Sequence, residues 1–414
     1  MRGLGLRSAL AVVAGGLQLI AAQDCYANTT YNGYSFNVDN FYSQAELDDL
    51  AQNCTTLQGD IGFGSNFTGT AVLHGLKNIT GLVTVGSNLT SIEFPDLVSL
   101  GGLDSSSSLL RSVSLPQVEV FKEIDIENAQ SLTISSPKAQ NASSIKLIGQ
   151  LSAFDFSQLN TVCTELQITG TSPSEGTFNV SFPALKNASD VQISGNLSSL
   201  SFPVLETAGG SSHYSGLSIS TQGKALNMSF PALNNVTGTF SMKGAVSDIY
   251  LPLLSNTSAD IVIETSSKLK VDVPWLVEAN KISMSGDIAG ANFSALESFT
   301  SFDIASDIYL DCATALPYNR ANEGEVSCSG AAKQRNTSGR AISIGVGVGV
   351  GVGGGIGLLI IVIWVYRRDL KHKKRASQAV ANLDVYGLQE HPHPHPGDVP
   401  VERVDTDPPP YSRY

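Results

Sequence analysis

A four-residue motif recurs through the middle of the chain and restricts its fold more than any other feature. It consists of a large apolar residue, Pro, any residue, and Leu or Val. The copies, which we call anchors, are Phe94–Leu97, Leu115–Val118, Phe182–Leu185, Phe202–Leu205, Phe230–Leu233, Leu251–Leu254 and Val273–Leu276, with Ser replacing Pro in Phe156–Leu159 and Phe293–Leu296. Successive anchors mostly lie 20 to 22 residues apart. A fixed period of this length is typical of stacked repeat architectures.

Apolar and polar residues alternate between the anchors with a period of two. Clear examples are residues 190–194, 216–220, 260–264 and 281–285. Strict alternation indicates short strands with one buried and one solvated face. Because such strands cannot bury their apolar faces alone, stacking them would create a continuous core. The sequence therefore predicts an all-β fold, a parallel β-solenoid in which Pro forms a corner after the large apolar residue.

Both ends of the repeat carry features of solenoid caps. Ser43 to Glu46 match a capping box that opens a helix toward Asn53. Cys25 and Cys54 flank this helix, and Cys312 and Cys328 follow the last anchor. Since the members of each pair are close in sequence, we predict the disulfides Cys25–Cys54 and Cys312–Cys328, although sequence alone permits other connectivities.

Cys163 is left over from this pairing. Its apolar neighbours Val162, Leu166 and Ile168 predict a buried thiol rather than a reactive one. The cysteines lack the close Cys-X-X-Cys spacing of zinc sites, so we expect no metal site.

These motifs, taken in order, resemble the receptor L-domain-like proteins of fungal cell walls. The match rests on the cysteine-flanked helix, residues 58–61 (Gln-Gly-Asp-Ile), the anchors and the closing cysteine pair, and it covers about residues 24 to 330. That family is similar in turn to the leucine-rich L domains of insulin and epidermal growth factor receptors. The resemblance implies a right-handed solenoid of receptor L-domain type and a role in cell-wall organisation, usually with a GPI anchor.

Two apolar segments outside the repeat predict a single-pass membrane topology. Residues 1–22 have the basic start and short apolar run of a secretory signal peptide. Residues 342–366 carry no charge and are long enough to span a bilayer as a helix. Because a basic cluster follows at 367–375, the C-terminal tail is expected in the cytosol and the protein in the plasma membrane.

The predicted organisation has six parts. They are the signal peptide 1–22, an N-terminal cap with its helix 23–60, β-solenoid repeats 61–310, a C-terminal cap and stalk 311–341, a transmembrane helix 342–366, and a disordered cytosolic tail 367–414. The basic cluster and the 48-residue tail depart from a GPI signal, in which the apolar segment ends the precursor. We therefore expect a permanent membrane span.

Acceptor sites for N-glycosylation all precede the predicted span. The Asn-X-Ser/Thr sequons are at Asn28, Asn53, Asn66, Asn78, Asn88, Asn141, Asn179, Asn187, Asn196, Asn227, Asn235, Asn256, Asn292 and Asn336. Asn179 and Asn227 alternate with apolar neighbours, which predicts that they face outward. A set this dense on one side of the span predicts an extracellular glycoprotein.

Charge and composition exclude some functions. The predicted ectodomain carries a net charge near −15, which argues against nucleic-acid binding. No Ser/His/Asp arrangement or carboxylate cluster at repeat spacing is recognisable, so we expect no catalytic residue and no cofactor.

Two non-enzymatic functions fit the sequence. The first is a surface glycoprotein that contributes to cell-wall organisation and integrity, in contact with wall polysaccharide or wall proteins. The alternative is a single-pass receptor or sensor that binds a glycan or peptide and signals through partners recruited by the tail.

The predicted span and tail each carry a candidate interaction motif. Glycines recur every four residues at 345, 349, 353 and 357, which indicates either a homodimer or a low-complexity anchor without a partner. The tail contains Pro408, Pro409 and Tyr411 in the Pro-Pro-X-Tyr pattern that WW domains bind. The expected partner is a WW-containing ubiquitin ligase or its adaptor.

Replacing the tyrosine of this motif tests the prediction. Tyr411→Ala removes the ring that fills the groove of a WW domain and leaves the rest of the chain unchanged. The variant should lose binding to isolated WW domains and accumulate at the cell surface, measured by surface biotinylation. Unaltered WW binding together with an unaltered surface lifetime would reduce the motif to a Pro-rich spacer.

Overall fold

The fold follows from the alternation and the anchors, as a computed structural model of the chain shows. The structure describes residues 24–332 except 28, 32–33, 37, 87, 172–175, 211–214 and 316–324. These residues form a parallel β-solenoid, because nearly every strand hydrogen-bonds in parallel to a strand about one repeat further along. The exception among the described residues is the short antiparallel pair Thr29–Tyr31 and Tyr34–Phe36. The predicted all-β solenoid is confirmed.

The described residues form two helices and 26 strands. The helices are α1 (Gln44–Asn53) and α2 (Cys312–Ala315). The strands are β1 (Asp24–Tyr26), β2 (Thr29–Tyr31), β3 (Tyr34–Phe36), β4 (Val38–Phe41), β5 (Thr56–Gln58), β6 (Asp60–Phe63), β7 (Gly69–Val72), β8 (Asn78–Thr84), β9 (Leu89–Glu93), β10 (Ser99–Ser105), β11 (Ser112–Ser114), β12 (Val120–Ser135), β13 (Asn141–Asp155), β14 (Thr161–Gly170), β15 (Phe178–Ser181), β16 (Asn187–Ala188), β17 (Val191–Gly195), β18 (Leu197–Ser201), β19 (Thr207–Ala208), β20 (Gly216–Ser229), β21 (Asn235–Val236), β22 (Thr239–Tyr250), β23 (Asp260–Asp272), β24 (Lys281–Asn292), β25 (Ser301–Ser306) and β26 (Glu325–Ser329).

Each turn of the solenoid has the same internal order. An opening segment follows one anchor, a central segment comes next, and a closing segment leads into the next anchor. Residues 141–142, 144–149 and 151–155 of β13 are one such set. The register keeps equivalent residues in columns, as where Leu103 pairs with Ile124 and Ile124 with Ile145, 21 residues apart each time.

The anchors form the corners of the solenoid, as predicted. In Phe182–Leu185, the Leu185 N–H donates to the Phe182 carbonyl at 3.4 Å, which closes a β-turn with Pro183 in its second position. Proline favours that position, because its fixed φ fits the turn and its missing N–H is not needed there. Phe182 and Leu185 are both buried.

The anchor phenylalanines stack on one another inside the solenoid. Ring centroids lie 6.2 Å apart for Phe156–Phe182, 5.6 Å for Phe182–Phe202 and 6.2 Å for Phe202–Phe230, with planes within 10–21° of parallel. Such pairs add about 0.5–1.5 kcal/mol each to the stability gained from buried area. The stack therefore ties consecutive turns together along the axis.

On two turns, glycine is required where the central segment bends into the closing segment, although the equivalent position of the turn between them is Thr265. Gly244 and Gly286 have φ values of +94° and +101°, and a Cβ on either would lie 1.9 Å from a carbonyl oxygen of the preceding turn. Those oxygens belong to Thr221 and Thr265. Any side chain would push the neighbouring turns apart, because both the dihedral angle and the space require glycine.

The N-terminal cap contains the predicted helix. Leu47 of α1 is buried in the core, and Leu50 packs against it. The capping box is only half present, since Ser43 makes no side-chain cap bond. Glu46 instead accepts the Tyr42 N–H at 2.7 Å. Gln44 joins the helix to β7, with its Oε1 accepting the Val72 N–H at 3.0 Å.

Disulfides close both ends of the described solenoid. Cys25 is joined to Cys54 with a Cα–Cα distance of 5.8 Å, beside the buried end of α1. Cys312 is joined to Cys328 at 6.0 Å, which fastens α2 to β26 on the last described turn. Both bonds therefore protect terminal turns, where a solenoid would otherwise expose its core.

The prediction of a buried thiol at Cys163 is wrong. Cys163 is a free cysteine and its side chain is exposed. A bulge in β14 explains the error, because two residues, Cys163 and Thr164, stand opposite the single Ser143 of β13. The extra residue breaks the alternation, so both side chains point outward.

Several predicted segments lie outside the described residues. They are the signal peptide 1–22, the span 342–366 with its glycine ladder, the tail with Pro408, Pro409 and Tyr411, and the sequons Asn28 and Asn336. Among the residues that the structure does describe, no helix is long and apolar enough to cross a membrane.

Truncating one ring of the stack should destabilise the whole solenoid. Phe202 is 1% exposed, and Phe202→Ala should cost about 3–5 kcal/mol through lost burial and a cavity. Gln158→Ala, at an exposed corner position, should change stability by less than about 0.5 kcal/mol. Urea denaturation of the purified protein, followed by circular dichroism, checks both values. Equal unfolding midpoints for the two variants would show that the stack is not needed.

Candidate functional site: the central face

The sequons occupy only some sides of the solenoid. Asn78, Asn141, Asn187, Asn235 and Asn256 lie in or beside opening segments, and Asn179, Asn227 and Asn292 in closing segments. Asn66, Asn88 and Asn196 lie in turns between central and closing segments, and Asn53 ends α1. Asn179 and Asn227 face outward, as predicted. The described central segments carry no sequon.

Some sequon asparagines are held by the neighbouring turn through their oxygens. The Asn179 Oδ1 accepts the Ser199 hydroxyl at 2.8 Å, and the Asn187 Oδ1 accepts the Thr207 hydroxyl at 2.7 Å. Both asparagines are exposed. Because a glycan is carried on Nδ2, these bonds orient the side chain without using the atom to be modified.

The outward side of the central segments forms a polar surface, which we call the central face, in which Ser241 is covered by its neighbours. Parallel pairing places one side chain per turn in a row along the axis. The row is Asp104, Asp125, Lys146, Gln167, Gln192, Ser218, Ser241, Val262, Ser283 and Asp303. Neighbouring strands lie about 4.8 Å apart, so the row repeats at that interval.

A cluster of charges lies in the N-terminal half of the central face. Lys146 Nζ lies 3.2 Å from Asp125 Oδ2 and also forms an ion pair with Glu127. The lysine and Asp125 are about three-quarters covered by their neighbours. Glu123 and Glu165 lie on the same face, each pairing in register with Ser144. One lysine thus stands among several carboxylates.

The carboxylates at the edges of this cluster hold their protons more tightly than usual. Burial raises the pKa of Asp104 above its ordinary value of 3.8, and the charges of Asp125 and Glu127 raise it further. Burial also raises the pKa of Glu165 above 4.5, helped by the charge of Asp190. For Lys146, the bond to Glu127 is the main cause of a raised pKa.

This arrangement presents several kinds of hydrogen-bonding group to a partner. The row offers carboxylate, ammonium, amide and hydroxyl groups at regular spacing, which can hydrogen-bond a flat polar partner. Within the described residues, no group of three or more His, Cys, Asp or Glu side chains is placed to hold a metal ion. The cluster also differs from a glycosidase pair, in which two carboxylates flank a substrate bond, because Lys146 stands between Asp125 and Glu127.

The central face was not recognisable from local sequence patterns. Its residues are separated by 20 or more positions, and only the register of the strands brings them together. The gap in the sequons could have revealed it, since Asn-X-Ser/Thr falls before and after the central segments and never within the described ones.

The fold and its surface define a capped parallel β-solenoid whose described central segments carry no sequon. The chain is similar to a protein described as "Cell wall protein ecm33" from Schizosaccharomyces pombe. The two are 23% identical over 270 residues, which cover 63% of this chain and 56% of that protein. The match thus spans little more than half of the relative. No family model matches the chain, and no solved structure matches it.

The raised pKa of Asp104 predicts a pH-dependent effect of Asp104→Asn. The folded state binds the Asp104 proton more tightly than the unfolded state does. Ionisation of Asp104 therefore destabilises the folded protein as the pH rises from 3.8 through the raised pKa. Asparagine cannot ionise and removes that loss. The variant should therefore gain more stability over the parent at pH 7 than at pH 4.

Urea denaturation at the two pH values measures this difference. Gln167→Ala, a change at an uncharged position of the same row, should show the same effect at both pH values. A gain from Asp104→Asn that does not vary with pH would mean that burial and the nearby carboxylates do not perturb this group.

Proposed function

We propose that this protein is a non-catalytic cell-surface glycoprotein that contributes to fungal cell-wall organisation and integrity. The observation that carries the proposal is the distribution of sequons around the solenoid. Glycans on the opening and closing segments would cover two sides and leave the central face bare. The central face is then the surface that contacts a wall component.

The composition of the central face supports a polar contact. Its row contains one β-branched apolar residue, Val262, among charged, amide and hydroxyl side chains. A surface of this kind gains little from apolar burial and recognises its partner through hydrogen bonds. Wall polysaccharides and wall glycoproteins are rich in such groups, and either fits this face.

The similarity to a described cell wall protein supports the same location. The relative's name places it in the wall, and the aligned part covers 63% of this chain. The sequons and the two disulfides are those of a chain that passes through an oxidising secretory compartment. The proposed location is therefore the cell surface, with the solenoid outside.

An added glycan on the central face tests this function directly. Gln167→Asn creates an Asn-X-Thr sequon in the middle of the row, because Ile168 and Thr169 already follow that position. A strain lacking the gene should be sensitive to wall-perturbing dyes, and the parent gene should restore growth. The glycosylated variant should fail to restore it, because the sugar blocks the contact surface.

A matched control separates the glycan from the substitution. Gln167→Asn combined with Thr169→Ala carries the same asparagine without a sequon, and it should restore growth like the parent. Secretion and the mass shift of the glycan are followed by immunoblotting. Full rescue by the glycosylated variant, with its added glycan present, would remove the central face from the proposed function.

A further inference from the structure

A second surface of the solenoid is unusual for its exposed apolar residues. Tyr250, Leu253, Trp275 and Val277 are 43%, 54%, 65% and 37% exposed. Single exposed apolar residues are common on proteins, but a contiguous group marks an interaction surface. We call these four residues the corner patch.

The corner patch lies on two adjacent turns. Leu251 N–H donates to the Asp272 carbonyl at 3.1 Å, and Val277 N–H donates to the Ser255 carbonyl at 2.6 Å. These bonds stack the anchor Leu251–Leu254 on the anchor Val273–Leu276. Leu253 and Trp275 each hold the third anchor position, so they are neighbours along the axis.

The fold does not require large apolar residues at this anchor position. Along the solenoid, the third anchor residues are Asp96, Gln117, Gln158, Ala184, Val204, Ala232, Leu253, Trp275 and Ala295. Alanine therefore occupies this position on the turns before and after the patch, at Ala232 and Ala295. Leu253 and Trp275 must contribute something other than the corner itself.

Sequons border Leu253 and Trp275 on both sides, while Tyr250 stands two turns before Asn292 in the same column. Asn256 follows Leu253 in the next opening segment, and Asn292 stands beside Asp272, whose Oδ1 accepts its Nδ2–H at 2.7 Å. Because Tyr250 pairs in register with Asp272 and Asp272 with Asn292, the chain crosses the corner from the Asn292 column to Asn256 in the six residues that follow Tyr250. At no more than about 3.6 Å per residue, the open strip is at most roughly 22 Å wide.

The width of the open strip limits the size of the partner that can bind there. A stable protein interface buries about 800 Å² on each side, a patch roughly 28 Å across, which glycans at the two sequons would obstruct. An extended polysaccharide strand is much narrower than the strip. The aromatic faces of Tyr250 and Trp275 suit the C–H faces of sugar rings, because the electron-rich ring attracts the positive edges of those bonds.

We propose that the corner patch binds a strand of neutral wall polysaccharide, with sugar rings packed on Trp275 and Tyr250. The negative charge of the chain, −12, together with Asp272 and Glu278 beside the patch, disfavours anionic polymers. The proposal deepens the proposed function, on which it rests for the wall location and the glycans. It assigns a second wall contact, separate from the central face.

Trp275 provides its own reporter for the test. The chain contains two tryptophans, so Trp364→Phe leaves Trp275 as the only one. Full-length protein with this change is titrated with a soluble linear β-1,3-glucan and, separately, with a chitin hexasaccharide. Binding of either sugar should shift the fluorescence emission to the blue as water leaves the ring.

Calorimetry of further variants decides whether the patch carries the binding. Trp275→Ala should weaken binding at least ten-fold, as expected for a truncated tryptophan at a contact centre. Tyr26→Ala removes an equally exposed aromatic ring from the far end of the solenoid, 69% exposed, and should leave the affinity unchanged. Circular dichroism checks that both variants fold.

Other occupants of the patch give different results. If the chain's own glycans cover it, Asn256→Gln or Asn292→Gln will shift the Trp275 emission without added sugar. If a second copy covers it, Trp275→Ala will change the sedimentation coefficient. Both of these results would overturn the proposal. It would also be overturned if neither sugar binds, or if Trp275→Ala binds as tightly as the parent. Sugar binding that depends on Trp275, without a growth defect in the deletion strain, would overturn the wall function alone.

Discussion

The inward columns of large apolar residues are the constraint on which the rest of the structure depends. Each turn must place a phenylalanine or an equivalent side chain over that of the preceding turn, as Phe182 does over Phe156. A shift of one residue would turn the buried set outward, because side chains alternate along a strand. The anchor fixes which residues face inward once per turn, and the disulfides fasten the first and last described turns.

The outward positions are free of this constraint, and their residues differ from one side of the solenoid to another. Opening and closing segments hold the sequons, while the central segments hold the row from Asp104 to Asp303. Glycans on the former and hydrogen-bonding groups on the latter would give the solenoid a covered and a bare surface. Trp275 of the corner patch lies between two sequon columns, so it is open to a narrow partner only.

The anchors and the alternation were sufficient to predict the strands, the corners and the stacking, because both patterns repeat the same local physics in every turn. Cys163 shows where such reasoning fails. Its neighbours indicated burial, but the bulge in β14 depends on pairing with β13 and has no local signature. The charged cluster around Lys146 was equally hidden, since Asp125 and Lys146 meet only through the register of two strands.

The proposed function rests on contact between the central face and the wall. Carboxylate footprinting measures it most directly, by chemical labelling of acidic side chains in the purified protein alone and after binding to isolated wall fragments. Glu123 on the central face and Asp49 on α1 are both exposed, so both label in the free protein. Wall fragments should protect Glu123 and leave Asp49 labelled. Protection of Asp49 with Glu123 still labelled would contradict the proposed contact.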